Sequence, residues 1–143
     1  MSVVAATKRA DNLEHFLAQV RRQRGLELEL VLAPHGWEAD AARVAELAGA
    51  QVRTVVVPQP ADMLFGDVLA AGVAAASGDL VLKMDDDDWY GPDFVTDLLL
   101  ARGYSGADLV GMPAEYLYLE PSTPPCAATT GRRSSAGSWP AAP

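Results

Sequence analysis

Four consecutive carboxylates, Asp85–Asp88, are the residues of this sequence whose type and spacing best suit chemistry. They follow the apolar run Asp79–Met84 and precede an apolar-periodic segment that begins at Pro92, an order typical of a strand, a loop and a helix. In open parallel α/β sheets, ligands bind just beyond the carboxyl ends of the strands. Because four adjacent like charges repel, they are stable only when well solvated or facing a cation. The run therefore predicts either a cation site or a solvated acidic loop that is favourable beside a helix N-terminus.

The length and composition indicate one soluble globular domain. The chain has 143 residues, half of them apolar, which suffices for a single buried core. Its formal net charge of −8 argues against a nucleic-acid partner or an anionic membrane surface, both of which require clustered basic residues. No stretch approaches the roughly 18–20 apolar residues of a membrane span, and the N-terminal apolar run is too short for a secretory signal. We therefore expect a cytoplasmic protein without a membrane span.

The predicted elements alternate between strands and helices, which favours a mostly parallel sheet with helices on both faces. Strands are predicted at 2–6, 26–32, 52–57, 79–84 and 107–111, with a further one at 114–119. Helices are predicted at 11–24, 40–48, 63–76 and 92–102.

Helix boundaries are predicted from capping signals. Asp11 and Glu14 have the spacing of a capping box at the start of the first helix. Asp40 is expected to cap the second helix, with Gly49 just past its end. Gly103 is expected to end the fourth helix.

The composition changes at Pro121. Residues 121–143 hold five of the ten prolines, no acidic residue and no apolar periodicity. We expect residues 1–120 to form the domain and residues 121–143 to be a disordered tail. Apolar residues from Leu109 to Leu119 would then form an open sheet edge, which predicts self-association.

The motifs at 2–9 and 77–93 together resemble the inverting glycosyltransferases of family 2, which have the GT-A fold. The first, Ser2-Val-Val-Ala-Ala-Thr-Lys-Arg9, is similar to the first strand and turn of that family. The second, Ser77-Gly-Asp followed by Asp85-Asp-Asp-Asp-Trp and Pro92-Asp93, is similar to its Asp-x-Asp segment. Ala107–Gly111 matches the strand that usually follows. The resemblance implies a Rossmann-like domain that binds a nucleotide-diphosphate sugar and transfers the sugar to an acceptor hydroxyl.

The resemblance also implies roles for the acidic loop. Mg²⁺ or Mn²⁺ would bridge carboxylate and phosphate oxygens in an octahedral site. Alternate residues of an extended loop point to one side, so Asp85 and Asp87 are the predicted metal ligands, Asp85 also lying near the ribose. Asp86 is placed in the nucleotide-sugar site with a side chain expected to be a spectator, and Asp88 is expected to orient the loop or cap the next helix.

Basic and hydroxyl groups complete the predicted nucleotide-sugar site. The resemblance places Thr7 and Arg9 at the nucleotide, although an ordinary solvated loop is the alternative. Lys83 either contacts phosphate or simply compensates the charge of the adjacent acids. His35 stands where the family commonly has a base-binding acid, so His35 or Trp37 would contact the base unless this loop is only a surface loop.

The chain departs from the family most clearly in length. Relatives usually continue for a hundred or more residues and supply there the acidic general base. Only Glu115 and Glu120 are candidates for that base here. We expect a truncated glycosyltransferase that keeps its donor-binding half, with a tail typical of a shifted reading frame.

Two other functions remain open. One is a metal-dependent nucleotide-diphosphate binding module without turnover. The other is a receiver-like regulatory domain that binds Mg²⁺, which is disfavoured because receivers distribute their acids over two strand ends.

Overall fold

Strands and helices alternate through residues 1–112, the part of the chain that the computed structural model describes. The strands are β1 (Ser2–Thr7), β2 (Leu28–Pro34), β3 (Val52–Val56) and β4 (Val81–Lys83). The helices are α1 (Leu13–Arg21), α2 (Ala41–Ala48), α3 (Phe65–Ala75) and α4 (Phe94–Ser105), with a 3₁₀ turn at Ala10–Asn12. The predicted α/β class is confirmed.

The four strands form one sheet in the order β3-β2-β1-β4, and every neighbouring pair is parallel. The chain adds β2 and β3 on one side of β1 and then crosses to place β4 on the other side. A crevice opens at the carboxyl ends of the strands where the order reverses, and ligands of such sheets bind there. Here the crevice lies between the ends of β1 and β4.

Helices cover both faces of the sheet, as predicted. Alternate residues of β1, Val3 and Ala5, pack in one core with Phe16 of α1 and Val44 of α2. On the opposite face, α3 lies against β1 and β2. Its Gly72 is required there, because a Cβ atom at this position would lie 2.8 Å from Cγ1 of Val4. All residues of β1 and β2 are buried, as is typical of central parallel strands.

The capping prediction is correct for α2 and wrong for α1. Oδ1 of Asp40 accepts hydrogen bonds from the backbone N–H groups of Ala42 and Arg43, at 2.9 and 3.3 Å. By contrast, Asp11 lies inside the 3₁₀ turn, so the N-cap of α1 is Asn12, which makes no side-chain capping bond. The predicted capping box of Asp11 with Glu14 therefore does not form.

The end of α4 also differs from prediction. Gly103 lies inside the helix, and Gly106 ends it in a left-handed conformation with φ of +67°. Residues 107–111 then follow an irregular path, so the strand predicted there is wrong. The strand predicted at 114–119 and the disordered tail predicted at 121–143 lie outside the described residues. Self-association through this edge stays a prediction.

None of the helices in residues 1–112 has the length and apolar character that crossing a bilayer requires.

Candidate functional site

A cavity of about 230 Å³ opens in the crevice between the ends of β1 and β4. It is lined by the end of β1, the start of α3 and the acidic loop: Ala6, Thr7, Lys8, Arg9, Phe65, Asp85 and Asp86. The structure thus brings the two sequence-distant motifs at 2–9 and 77–93 to one place. Phe65, half-exposed at the start of α3, was not predicted, because an aromatic residue at a helix start carries no sequence signal for a ligand.

Asp86 is the most deeply buried acid of the loop, with 4% of its surface exposed. Its Oδ2 accepts a hydrogen bond from Thr7 Oγ1 and another from Arg9 Nε, both at 2.9 Å. Its Oδ1 accepts from Arg9 Nη2 at 2.5 Å. Burial by itself would raise the pKa of Asp86, but the bonds from Arg9 and Thr7 outweigh burial and lower it. Asp86 is therefore an ionised anchor, and the expectation that it is a spectator is wrong.

Arg9 also contacts a second acid of the loop. Its Nη2 lies 2.9 Å from Oδ2 of Asp87, whose side chain is half-exposed. The bonds to Asp86 are the main reason that the pKa of Arg9 is raised further. The chain turns at Asp86 and Asp87 instead of remaining extended, so neighbouring acids face the same guanidinium. The alternation expected of Asp85 and Asp87 does not apply.

Asp85 pairs with the last residue of β4. Both of its carboxylate oxygens accept from Lys83 Nζ, at 2.6 and 2.5 Å. The two side chains are each nearly half-exposed. In this arrangement Lys83 compensates the charge of Asp85, which is the simpler of the two roles considered for it.

Tyr90 holds the acidic loop in its conformation through its hydroxyl group. Its hydroxyl oxygen accepts from the backbone N–H of Asp85 at 2.7 Å, and the hydroxyl lies 3.4 Å from Asp88 Oδ2. Burial, reinforced by the nearby charges of Asp88 and Asp85, raises the pKa of Tyr90 to about 12, so the phenol stays protonated. The sequence did not indicate this role, because Tyr90 looks like one more apolar residue after the acids.

The last turns of helix α1 and the two residues that follow it support the same loop. Gln19 Oε1 accepts from the backbone N–H of Tyr90 at 3.3 Å, and Arg22 donates to the carbonyl oxygen of Tyr90. Gln23 donates to the carbonyl oxygen of Gly91 at 2.9 Å. The acidic loop is thus held by side chains some seventy residues earlier in the chain.

Asp88 and Trp89 lie at the outer side of the loop. Asp88 does not cap α4, whose N-cap is Asp93 without a side-chain bond. The indole of Trp89 is 75% exposed and meets the ring of His15 edge-on, with ring centroids 4.7 Å apart. His15 also contacts the carbonyl oxygen of Asp88 at 3.2 Å.

His35 lies just past β2 and is buried, with 3% of its surface exposed. The surface-loop alternative is therefore wrong for this residue. Its backbone N–H donates to the carbonyl oxygen of Thr7 at 2.8 Å, next to the indole N–H of Trp37, which donates to the same oxygen at 2.9 Å. Within residues 1–112, neither ring nitrogen of His35 has a hydrogen-bond partner. Buried polar atoms without partners are costly, so a water molecule or another polar group is expected at this ring.

A second cavity, of about 400 Å³, opens at the ends of β2 and β3, and the residues that follow His35 in sequence line one side of it. It is lined by two loop segments, residues 36–38 and 58–61. Since neighbouring strands lie about 4.8 Å apart, two cavities separated by about two strands are on the order of 10 Å apart.

The acidic loop has the donor chemistry of a magnesium or manganese site but not a complete ligand set. Carboxylate oxygens are the ligands these cations prefer. Across residues 1–112, however, no three His, Cys, Asp or Glu side chains converge as a metal site. Mg²⁺ typically takes one or two carboxylates and completes its shell with water and substrate phosphates. The loop fits a cation that arrives with a diphosphate.

The two candidates for the general base, Glu115 and Glu120, lie outside the described residues.

Comparison with known proteins gives one family and one fold. The sequence model of "Glycosyl transferase family 2" matches residues 2–117. The solved structure of S. aureus TarS aligns with 79% of this chain at 16% identity and a TM-score of 0.61, over 23% of its own length. The structure of S. aureus TarS 1–349 in complex with UDP aligns with 78% of this chain at 17% identity and a TM-score of 0.56, over 37% of its own length. A search of curated proteins found no match.

Proposed function

Because this chain belongs to glycosyl transferase family 2, we propose that it binds a nucleotide-diphosphate sugar for inverting transfer to an acceptor hydroxyl in the cytoplasm. The observation that carries the proposal is the Thr7–Asp86–Arg9 network, which joins the two family motifs around a cavity at the switch point of the sheet. The solved TarS complex with UDP supports a uridine nucleotide as the first candidate donor.

In this proposal the diphosphate occupies the cavity beside Arg9 and Lys83. Both side chains are about half-exposed, so their charges can reach phosphate oxygens. Thr7 lies with Arg9 at the nucleotide and Asp86 holds both of them in position. A bidentate guanidinium is well suited to phosphate.

Asp87 and Asp85 are the proposed ligands of Mg²⁺ or Mn²⁺. Asp87 is half-exposed and Asp85 lines the cavity. When bound, such a cation supplies electrostatic stabilisation of the negative charge that grows on the departing diphosphate. For that purpose the two carboxylates must exchange their contacts with Arg9 and Lys83 for the cation.

The nucleobase of the ligand is proposed to extend from the first cavity toward the ends of β2 and β3. The unpartnered, buried ring of His35 and the second cavity, which the residues after His35 line, favour this direction. An imidazole can both donate and accept hydrogen bonds, whereas a carboxylate only accepts them. The nucleobase that this chain prefers would therefore differ from that of relatives with an acid at the position of His35. Replacing His35 by Phe should weaken binding of the preferred nucleotide relative to inorganic pyrophosphate, and an equal loss for both would exclude base contact.

Calorimetry with UDP, GDP and dTDP, each with and without Mn²⁺, tests the function. Binding of one nucleotide that requires Mn²⁺ is expected. Replacing Asp87 by Ala should abolish the Mn²⁺ dependence, and unchanged affinity would exclude Asp87 as a ligand. Arg43→Gln, which removes a charge from exposed pairs with Glu14 and Glu46, is a matched control outside the site.

A binding module without turnover is the second candidate. It is favoured by the pairing of both acids that line the described cavity, Asp85 and Asp86, with basic side chains. A donor-hydrolysis assay distinguishes the two, since binding without hydrolysis indicates the module. Glu115→Gln and Glu120→Gln then test the base: loss of turnover with unchanged binding is expected for the residue that serves.

A further inference from the structure

Arg9 makes one contact that its anchoring does not require. Nε and Nη2 already form a bidentate pair with buried Asp86. The same Nη2 also lies 2.9 Å from Oδ2 of exposed Asp87. One guanidinium nitrogen is therefore shared between an acid that is 5% exposed and one that is 52% exposed.

The two contacts differ in how easily they are broken. Asp86 is also held by Thr7 and is closed off from solvent, so separating it from Arg9 would leave a buried charge unpaired. The exposed contact to Asp87 is an ordinary surface ion pair, which is worth at most about 1 kcal/mol. The guanidinium can therefore release Asp87 while it stays fixed to Asp86.

Arg9 and a divalent cation compete for the same carboxylate. A cation on Asp87 would come within about 5 Å of the guanidinium, and like charges at that separation repel appreciably even in water. A diphosphate brings negative charge that attracts both. Its arrival therefore removes the competition and leaves Asp87 open to the cation.

We infer that Arg9 shields Asp87 from divalent cations until a nucleoside diphosphate breaks the contact of the guanidinium with Asp87, its pair with Asp86 remaining intact, so that cation binding depends on the nucleotide. This rests on the proposed function, and it adds an order of binding to it. Asp86 acts as a positioning residue, because it keeps Arg9 within reach of both Asp87 and the cavity. Binding is reciprocal, so the cation strengthens nucleotide binding by the same factor.

The test is a titration with Mn²⁺ alone, followed by electron paramagnetic resonance of the free ion. Arg9→Gln should bind Mn²⁺ about tenfold more tightly than the unmodified chain, since removing one neighbouring positive charge is worth about 1.4 kcal/mol at this distance. The same variant should bind UDP, in the absence of metal, several-fold more weakly. A residue with only a structural role would not change the two affinities in opposite directions.

Two variants serve as controls. Arg9→Lys keeps the charge and should keep the weak affinity for Mn²⁺ alone. Arg53→Gln removes a charge at the N-terminal ends of the strands, where Arg53 pairs with Glu29 at 3.0 Å. This variant should also leave the affinity for Mn²⁺ unchanged. If Arg9→Gln binds Mn²⁺ no better than Arg53→Gln, the inference is wrong.

The unmodified chain gives an independent measurement if Arg9→Gln does not fold. Its affinity for Mn²⁺ should rise at least tenfold with saturating UDP, after correction for Mn²⁺ held by UDP in solution. Equal affinity with and without UDP would overturn the inference, whereas failure of UDP to bind under any condition would overturn the proposed function.

Discussion

The parallel strands begin at one end of the sheet, called here the amino edge, and finish at the other, called the carboxyl edge, and each of these edges contains one buried carboxylate. At the carboxyl edge, Asp86 accepts from Thr7 and Arg9. At the amino edge, Glu29 of β2 accepts from Ser2 Oγ at 2.5 Å and from both the backbone N–H and the hydroxyl of Ser77, at 2.7 and 2.8 Å. Each acid connects segments that are distant in sequence, and each is ionised.

The difference lies in the surrounding charge. Glu29 is satisfied mainly by neutral donors and pairs with one exposed guanidinium, that of Arg53. Asp86 belongs to a run of four acids that receives only Arg9 and Lys83 as paired cations among the described residues. The charge of Glu29 is matched by that of Arg53, whereas the four acids of the loop have only two basic partners and keep a net negative charge. The amino edge is therefore a structural anchor, whereas the carboxyl edge carries a net negative charge.

The largest expected effect separates the two acids by function. Asp86→Ala and Glu29→Ala should each destabilise the fold by about 2–3 kcal/mol, because each leaves buried donors unpaired. Only Asp86→Ala should also weaken UDP binding, by at least tenfold, because Arg9 loses its position. Thermal unfolding and calorimetry measure both quantities, and equal UDP affinities would remove the functional difference between the edges.

A pH titration of stability sharpens the comparison. The hydrogen bond from Ser2, followed by that from the Ser77 backbone, lowers the pKa of Glu29 from 4.5 to about 2. A lowered pKa stabilises the fold at pH values above the unfolded value, and this stabilisation is lost as pH falls from about 4.5 toward 2. Glu29→Gln should reduce this loss of the free energy of unfolding by on the order of 2 kcal/mol. The loss that remains in the variant would come from Asp86 and other acids. Denaturant unfolding between pH 5 and 2.5 measures it, and an unchanged slope contradicts the assignment.

Ser2→Ala should have a smaller effect, about 1–2 kcal/mol. Its hydroxyl donates to Glu29 and accepts from the backbone N–H of Gly78 at 2.9 Å, so the substitution removes two bonds at the amino edge. UDP affinity should not change. A loss of affinity would indicate that the two edges are coupled through β1.

Arg53→Ala is expected to have the smallest effect, less than about 1 kcal/mol, because its side chain is 68% exposed. The effect should decrease further in 0.5 M salt. A loss above 2 kcal/mol would mean that charge pairing, and not the neutral donors, holds Glu29.

The sequence was sufficient to predict the elements whose signals are local. Asp40 and Gly49 bracket α2 because capping and a left-handed terminus depend on a few neighbouring residues. The boundaries failed where alternatives are nearly equal in energy. Gly103 is tolerated inside α4 because a helical glycine costs only about 1 kcal/mol, while Gly106 supplies the left-handed ending.

The candidate site was predictable as a location but not as a set of contacts. The order of strand, acidic run and helix placed Asp85–Asp88 at the sheet edge, and the first-strand motif placed Thr7 and Arg9 with them. The turn at Asp86 and Asp87 was not predictable, because it depends on Tyr90 and on α1, whose contacts with the loop span about seventy residues. The burial of His35 likewise depends on how β2 packs and not on its own neighbours.

The position of β4 beside β1 has a consequence for the order in which the molecule assembles. The strands β1, β2 and β3 come from the first 56 residues and pair with neighbours along the chain, whereas β4 joins β1 only after some 75 intervening residues. Closing so long a loop costs more conformational entropy than forming the earlier pairs, and it slows folding. We therefore expect β4 and the acidic loop to dock last. The ion pairs of Arg9 with Asp86 and Asp87 would then form in the final step of folding, after β1, β2 and β3 have paired.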